Sequence, residues 1–556
     1  MVKRVFTFVY REIRGLHQAA YILALFAFGS QILAVVRDRL LAHTFGAGVE
    51  LDLYYTAFRI PDLLFVLFAS VLSIYVLLPF VNRYAETESP IAGAAVLSQI
   101  FTMFLWVYAA VALVLALAAP WYMPHLFPGF IGQYESLVRL QQILLIQPFL
   151  LGLSSLCGVV TQMNHRFILY ALSPLLYNIG IIFGIIALYP YFGLTGLVWG
   201  VIIGALGHVL IQVPFVMRSE YAFTVVPRVK WSVLRQILVV SVPRALTLSV
   251  NQIVLLVLVS MASVMTAGSV SVFQFAFNLQ SVPLAIIGMS YSVAAFPTLS
   301  FLYAKSDHDG FNRQLLTALR HIIFWSIPII GLVVVLRAQI VRVLLGSGSF
   351  DWSDTRLTAA MLAMFVVSLI AQAVLLLLIR AFYAGGRTTL PLFVSLASGA
   401  LSVGLAFWLR ASYLPGSGLE NFLTDVLRLQ NVYGSEVLVL ALAFTFGQFV
   451  QLVVLLSLST KAFKISYRPL AALSLQAIAA AFAGGVSAYG ALTFVVDGVN
   501  QETFIGILLQ GAVAGVVGLF AIVLVYVACD SPELHEVTRS FRKKILKTDI
   551  IAPQPE

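Results

Sequence analysis

HQAAYILALFAFGSQILAVVRDRLLAH, residues 17–43, decides the fold. Up to Val36 this stretch carries no Asp, Glu, Lys or Arg, and only then does it meet Arg37-Asp38-Arg39. A helix crossing the roughly 30 Å hydrocarbon core of a bilayer needs about 20 mostly apolar residues, so the stretch reads as one span. The turn formers Phe45-Gly46-Ala47-Gly48 then send the chain back. Working outward, thirteen further stretches of similar length follow: 53–82, 91–119, 138–163, 168–188, 192–217, 233–266, 269–303, 312–345, 356–384, 388–410, 435–459, 468–494 and 502–529. Their turnarounds fall at Pro120, Tyr189-Pro190, Gly268, Gly346 and Gly385-Gly386. With 61% hydrophobic and 10% charged residues, the 556-residue chain is an all-α polytopic membrane protein, and a soluble fold is excluded.

An even number of spans puts both termini on one side. Basic residues fill that side: Lys3, Arg4, Arg11 and Arg14 at the start, Arg218, Arg228, Lys230 and Arg235 between spans six and seven, Lys305, Arg313 and Arg320 between eight and nine. Lys461, Lys464 and Arg468 follow between twelve and thirteen, and Arg539, Arg542, Lys543, Lys544 and Lys547 in the tail. Adding Arg83, Arg166, Arg380 and Arg387 places 23 of the 33 Lys and Arg there, so the positive-inside rule makes it the cytoplasmic side. The net charge of +10 is therefore a topology signal and does not argue for nucleic acid. Membrane lipids are the partner that the flanking basic segments suggest. No cleavable secretion signal is evident, so the first helix is expected to stay in the mature protein.

Several functions are disfavoured by what the chain lacks. Cys157 and Cys529 both lie in apolar spans and imply neither a disulfide nor a metal site. There is no G-x-x-x-x-G-K-[ST] loop, no H-E-x-x-H and no soluble stretch long enough for a catalytic domain. Transport without a cofactor remains, driven by a coupling ion, the membrane potential or the substrate's own gradient.

A faint repeat is present. Pro79-Phe80-Val81-Asn82-Arg83-Tyr84-Ala85 closes the second span as Pro297-Thr298-Leu299-Ser300-Phe301-Leu302-Tyr303-Ala304 closes the eighth. Asn164-His165-Arg166-Phe167 is echoed by Gly385-Gly386-Arg387-Thr388 at nearly the same offset. This divides the chain into a cytoplasmic amphipathic N-terminus 1–16, a lobe of six spans 17–217, a second lobe 218–459, a helix pair 460–529 and a basic tail 530–556.

Polar residues inside spans need a cavity, a partner or a role, because a charge at the bilayer centre costs about 2.5 to 3.5 kcal/mol. Ser30, Arg37 and Asp38 fall near one face of the first span, while Asp52 and Arg59 lie seven apart on the second. They fit an intramembrane ion-pair cluster in which Asp38 and Asp52 orient Arg37 and Arg59. The same charges also fit an interfacial pin for the hairpin. Ser241, Arg244, Thr247 and Asn251 share a face of span seven; Ser271, Gln274, Asn278 and Ser281 follow at three, four and three in span eight. These stripes line something wet or bond helix to helix. Arg244 follows Pro243, where a helix loses a backbone bond and transporters place binding groups. In the outer loop 411–434, Ser417-Gly418-Leu419-Glu420 reads as a capping box, and Leu419, Phe422, Leu423, Val426, Leu427 and Gln430 trace one helical face. A short amphipathic helix at the outer interface is expected.

Taken in order, Ser30, Val36-Arg37-Asp38, Phe45-Gly46-Ala47-Gly48, Asp52, Ala57-Phe58-Arg59-Ile60-Pro61-Asp62-Leu63-Leu64 and Pro79-Phe80 resemble the MurJ (MviN) family. So do Asn164-His165-Arg166-Phe167, Pro174, Asn178, Gly268-Ser269-Val270-Ser271, Pro283, Phe296-Pro297-Thr298-Leu299-Ser300 and Phe382-Tyr383-Ala384-Gly385-Gly386-Arg387-Thr388. The resemblance spans roughly residues 20 to 530. It implies a lipid II flippase of the multidrug/oligosaccharidyl-lipid/polysaccharide exporter superfamily, with two six-helix lobes around a central cavity and a C-terminal pair forming a lipid-facing groove. It also implies a monomer in the bacterial cytoplasmic membrane that moves a polyprenyl-linked saccharide by alternating access, beside cell-envelope synthesis enzymes.

The departures fall where the family meets its substrate. Positions 31, 65 and 278, expected as arginine, are Gln31, Phe65 and Asn278, and the expected acid at 281 is Ser281. The substrate-binding candidates are then Ser30, Gln31, Arg37, Asp38, Asp52, Arg59, Arg244, Asn251, Ser271, Gln274 and Asn278. Arg37, Arg59 and Arg244 would supply the cationic field for a lipid-linked phosphate. Two other classes stay open: a transport-inactive paralogue acting as a scaffold, and an ion-coupled exporter of small amphipathic cations, for which Asp38 and Asp52 are the intramembrane carboxylates.

Overall fold

The structure is a computed structural model that describes residues 16–87, 89–495 and 503–545. The predicted N-terminal segment, apart from its last residue, and the end of the basic tail lie outside the described residues. Among the described residues every regular element is a helix. Apart from the π turns Gly184–Leu188 and Ala285–Met289 and the 3-10 turn Ser435–Val437, in chain order they are α1 (Leu16–Phe45), α2 (Val49–Ala57), α3 (Arg59–Val71), α4 (Ile74–Thr87), α5 (Pro90–Leu126), α6 (Tyr134–Leu144), α7 (Ile146–Met163) and α8 (Phe167–Phe183). There follow α9 (Tyr189–Leu210), α10 (Val213–Val216), α11 (Trp231–Ser263), α12 (Ser269–Leu284), α13 (Ser290–Ala304), α14 (His308–Leu344), α15 (Trp352–Val367) and α16 (Leu369–Ala384). The last are α17 (Thr389–Ser412), α18 (Gly418–Leu427), α19 (Leu438–Phe463), α20 (Pro469–Val495), α21 (Phe504–Ala528) and α22 (Pro532–Ile545).

Among the described residues eleven helical runs are long and apolar enough to cross a membrane, or twelve if α15 and α16, bent by 41°, form one span. The fourteen stretches exceed this for two reasons. Phe167–Val216, counted as one run of 50 residues, holds two of them joined at the kink of Gly193, and α1, helical over the first, stands outside the eleven. Tyr189-Pro190, read as a turn, does not interrupt helix: a proline in the first turn has no N–H to lose, and the break comes at Gly193 (φ 58, ψ −147). Pro120 likewise lies inside α5, which runs on to Leu126. The second stretch is cut into α2, α3 and α4. Pro61 explains the first cut, since its ring would meet the carbonyl of Ala57 in a continuous helix.

The contacts divide into two compact units. The first comprises the described residues of Met1–Phe275 with Leu344–Leu357 and Ser395–Leu440. Its core packs α3, α4, α5 and α7 around Phe104, Leu77, Leu97 and Leu156, and Phe104 stacks on Phe149 at 5.7 Å. Beside it α8 and α9 cross through glycine: a methyl on Gly200 would lie 2.3 Å from Gly184 Cα, and one on Gly180 would lie 2.2 Å from Gly204 Cα. Small residues four apart let backbones approach where lipid gives no hydrophobic drive. Gly204 therefore serves packing at this crossing.

The second unit comprises Ala276–Val343, Thr358–Val394 and the described residues of Ala441–Glu556. Its α20 and α21 form a close pair in which a methyl on Gly518 would lie 2.8 Å from the Gly484 carbonyl oxygen. Tyr526 of α21 donates to the Phe324 carbonyl of α14 at 2.9 Å. The turn after α16 repeats the turn after α7. Arg166 N–H reaches the Thr161 carbonyl with His165 at φ 54, and Arg387 N–H reaches the Phe382 carbonyl with Gly386 at φ 69. Both are left-handed helix stops of one type, which gives the faint repeat a geometric counterpart.

Two local features follow the sequence closely. α18 begins where the capping box predicted: Ser417 Oγ accepts Glu420 N–H at 3.2 Å, and Glu420 Oε2 accepts Gly416 N–H at 2.6 Å. It stops at Arg428, φ 57, so Gln430 lies beyond it. At the far end, buried Glu533 of α22 accepts Arg320 Nε at 2.6 Å and Ser531 Oγ at 2.8 Å. Arg320→Ala leaves that carboxylate without its cation. With Arg320 41% exposed, the loss is expected near 1–2 kcal/mol, below the 3–5 of a fully buried pair. Amide exchange of residues 532–539 should rise while α20 and α21 stay protected; unchanged protection would refute this anchoring.

Candidate functional site

The candidate residues of the first unit gather into two clusters. In the first, the guanidinium of Arg37 holds Asp38 Oδ1 through Nε at 2.9 Å and Nη2 at 2.8 Å. Its Nη1 donates to Asn178 Oδ1 of α8 at 3.1 Å, and Asn178 Nδ2 donates to Ser30 Oγ at 3.3 Å. Ser30, Arg37 and Asp38 thus share the face of α1 that packs on α8, as their spacing predicted. The bridging residue is Asn178, which was legible as a motif residue but not as part of a site.

The second cluster forms where α2 and α3 meet the start of α12. Asp52 is buried, 4% exposed, and accepts three hydrogen bonds: Gly268 N–H at 2.7 Å on Oδ2, then Ser271 N–H at 2.7 Å and Ser271 Oγ at 2.5 Å on Oδ1. The carboxylate therefore caps the N-terminus of α12, where unpaired N–H groups and the helix dipole favour an anion. Asp52 does not orient Arg59 as expected. The donors at the head of α12 satisfy its charge instead. Gly268 is needed here, because at φ +90 a side chain would be strained and its Cβ would lie 2.1 Å from the Ala47 carbonyl oxygen.

One helical turn further, Arg59 of α3 donates through Nη2 to Gln274 Oε1 of α12, while its buried Nε has no partner. Asp52 and Arg59 thus grip the first two turns of α12 in series, which the 52/59 and 271/274 spacings allow. Tyr55 packs edge-on to Phe275 at 5.8 Å, and Phe275 edge-on to Phe350 at 5.7 Å, shielding the polar bonds with aromatic faces.

The end of the unit carrying these contacts is tied by groups that the sequence did not single out. Ser349 N–H donates to the His43 carbonyl at 2.9 Å, and Ala47 N–H to Asp354 Oδ2 at 3.0 Å. Glu436 Oε1 accepts Thr266 N–H at 2.9 Å and Thr266 Oγ1 at 3.2 Å. Glycine permits the contact again, since a methyl on Gly46 would lie 2.6 Å from the Ser349 carbonyl oxygen. Segments 43–52, 263–275, 347–356 and 434–436 so converge in one closure. Only the turns read at Phe45-Gly46-Ala47-Gly48, Gly268 and Gly346 hinted at it.

The remaining candidates lie on α1, α11 and α12. On α11, Ser241 and Thr247 spend their hydroxyls on the Ile237 and Pro243 carbonyls of their own helix, both at 2.8 Å. Arg244 is half-buried and Asn251 exposed on that helix, and Gln31 is exposed on α1. Asn278 is half-buried in the second unit, where Ser281 Oγ bonds its carbonyl at 2.6 Å. No group of three or more His, Cys, Asp or Glu able to hold a metal occurs among the described residues.

Residues 41–508 match the family described as lipid II flippase MurJ. A probable lipid II flippase MurJ of Thermotoga maritima is 27% identical over 439 residues, covering 75% of this chain and 86% of the relative. One from Buchnera aphidicola subsp. Acyrthosiphon pisum is 29% identical over 378 residues, covering 66% and 73%. Among solved structures, a lipid II flippase MurJ in an inward closed conformation matches with a TM-score of 0.70 at 20% identity, covering 92% of this chain and 99% of the other. An inward-facing multidrug resistance MATE family transporter of the MOP superfamily matches at 0.65 and 15% identity, covering 78% and 94%. At these identities the structural matches speak for the fold alone.

Proposed function

Since this chain belongs to the lipid II flippase MurJ family, transporters and not enzymes, we propose that it carries lipid II, or a closely related polyprenyl-linked saccharide, across the cytoplasmic membrane by alternating access. The observation that carries the reading is the closure at the head of α12. Asp52 and Arg59 hold that helix through Gly268, Ser271 and Gln274, and releasing a few hydrogen bonds would free a whole span. The basic residues, 23 of 33 on one side, support cytoplasmic termini and hence an outer location for this closure. In this reading the lobes 17–217 and 218–459 rock, the pair within 460–529 guides the lipid tail, and one chain is the transporting unit. Enzymes that make and consume the lipid-linked saccharide are its implied partners.

The head group is an anion, and the proposed cationic set of Arg37, Arg59 and Arg244 is offset by three carboxylates, Asp38 on Arg37, Asp52 at the head of α12 and Asp62 beside Arg59. A set so nearly balanced holds a diphosphate more weakly than a ring of arginine forks would. Gln31, Phe65 and Asn278, where family resemblance expects arginine, therefore favour a second reading as a transport-inactive scaffold. Rescue of cells depleted of their lipid II flippase separates the two. The full chain is expected to rescue, and Arg37→Ala to lower rescue at least tenfold, with Arg37→Lys intermediate because an ammonium lacks the fork that spans Asp38 and Asn178. Failure of a correctly inserted, well-expressed chain would overturn transport of lipid II.

A further inference from the structure

We propose that residues 411–437 are a strap that holds the closure shut from the lipid surface, with α18 seated in the outer headgroup layer and Glu436 clamping the turn before α12. The proposal deepens the alternating-access reading and rests on it.

The seat is lipid on three observations. α18 is a capped amphipathic helix whose Leu423 is buried against the protein, while Phe422 and Val426, four residues apart, are 62% and 59% exposed. Leu414 and Tyr433, at either side of it, are also exposed. α17, a candidate span, leads into it with Phe407 and Trp408 exposed near its end, so the apolar surface continues from a lipid-facing span onto α18. Such a helix lies in the interface plane with its apolar edge in the headgroup boundary, and Trp and Tyr mark that depth.

The strap is fastened at both ends. Tyr413 and Ser435 share a hydroxyl hydrogen bond of 2.7 Å, which closes the segment into a loop. The Arg356 guanidinium donates to the Arg428 carbonyl at the end of α18. Glu436 then accepts both Thr266 N–H and Thr266 Oγ1, two residues before the Gly268 N–H that Asp52 holds. Strap, turn and cap act in series, so α12 cannot leave Asp52 without straining the turn that Glu436 grips.

Two measurements on the full chain test this, with Cys157 and Cys529 replaced. A spin label on Phe422→Cys in lipid nanodiscs should be relaxed more by oxygen than by a water-soluble nickel reagent. Preference for nickel, or shielding from both as by a protein partner, overturns the lipid seat. On intact cells, a Ser30→Cys reporter lies fifteen residues before the α1 turn, about 22 Å along the helix, and reports opening to an impermeant maleimide added outside. Glu436→Gln should raise its labelling rate about tenfold, the scale of one hydrogen bond to a carboxylate, and Asp52→Asn should raise it at least as much. A rise with Asp52→Asn alone overturns the strap and leaves alternating access standing; no rise with either overturns the closure and the strap together.

Discussion

Asp52→Ala is expected to abolish rescue of flippase-depleted cells, the largest functional effect of any single side chain in the structure. The carboxylate accepts Gly268 N–H, Ser271 N–H and Ser271 Oγ from a position 4% exposed. Water does not reach the two N–H groups readily once the acceptor is gone, and each buried donor left unpaired costs about 1–3 kcal/mol. Together with the lost interaction of a negative charge with the helix N-terminus, about 0.3–2 kcal/mol, the first turn of α12 loses roughly 2–8 kcal/mol of anchoring. Asp52→Asn keeps one oxygen but turns an NH₂ toward a donor, so it should retain partial rescue. Immunoblots at equal membrane abundance and a complementation titre measure this. Full rescue by the alanine variant would show that the cap is not needed for transport.

How far this site was legible follows from the kind of bond involved. Arg37 and Asp38 are sequence neighbours on one helical face, and their pairing needs no tertiary knowledge beyond that face. Asp52 and Arg59 are also opposite charges at helical spacing, and Coulomb attraction alone suggests that they meet. The structure breaks the chain between them at Phe58 and offers Asp52 three donors from a turn more than two hundred residues away. A helix N-terminus is an anion site made by backbone, and backbone has no sequence signature until the helix start is placed. Asn178, Asp354 and Glu436 escaped for a similar reason, since each is an ordinary polar residue whose partner is defined only by the fold.

The fold was more legible because the bilayer imposes one length on every span. Where fewer than fourteen helical runs are counted, two of the stretches meet within one run. Proline at the start of a helix fits it, so Tyr189-Pro190 marks entry into α9, and the break waits for Gly193. A sequence window shows glycines at 180, 184, 200 and 204 but not the neighbour that each one meets. In the structure that neighbour is another glycine, and the motif spacing of four becomes a seam.

That seam carries the largest expected effect on stability. Gly200→Leu would place Cβ 2.3 Å from Gly184 Cα, 2.8 Å from Gly184 N and 2.9 Å from the Gly180 carbonyl oxygen. These are backbone atoms, so no rotamer change relieves the clash, and α8 and α9 must separate. Overpacking a tight interior typically costs about 1–3 kcal/mol, and a backbone-to-backbone crossing lies at the upper end or beyond. The consequence extends to the site, because Asn178 sits two residues before Gly180 on α8 and bridges Ser30 to Arg37. Moving α8 off its seat shifts Asn178 against α1 and disturbs the geometry of those bonds of 3.1 and 3.3 Å. Gly200→Ala, with one methyl to accommodate, should fold with a lowered melting temperature and reduced rescue, whereas Gly200→Leu should give little monodisperse protein by fluorescence-detected size exclusion. A Gly200→Leu chain that elutes and melts like the parent would mean that the two helices are not in backbone contact, and the position assigned to Asn178 would fall with it.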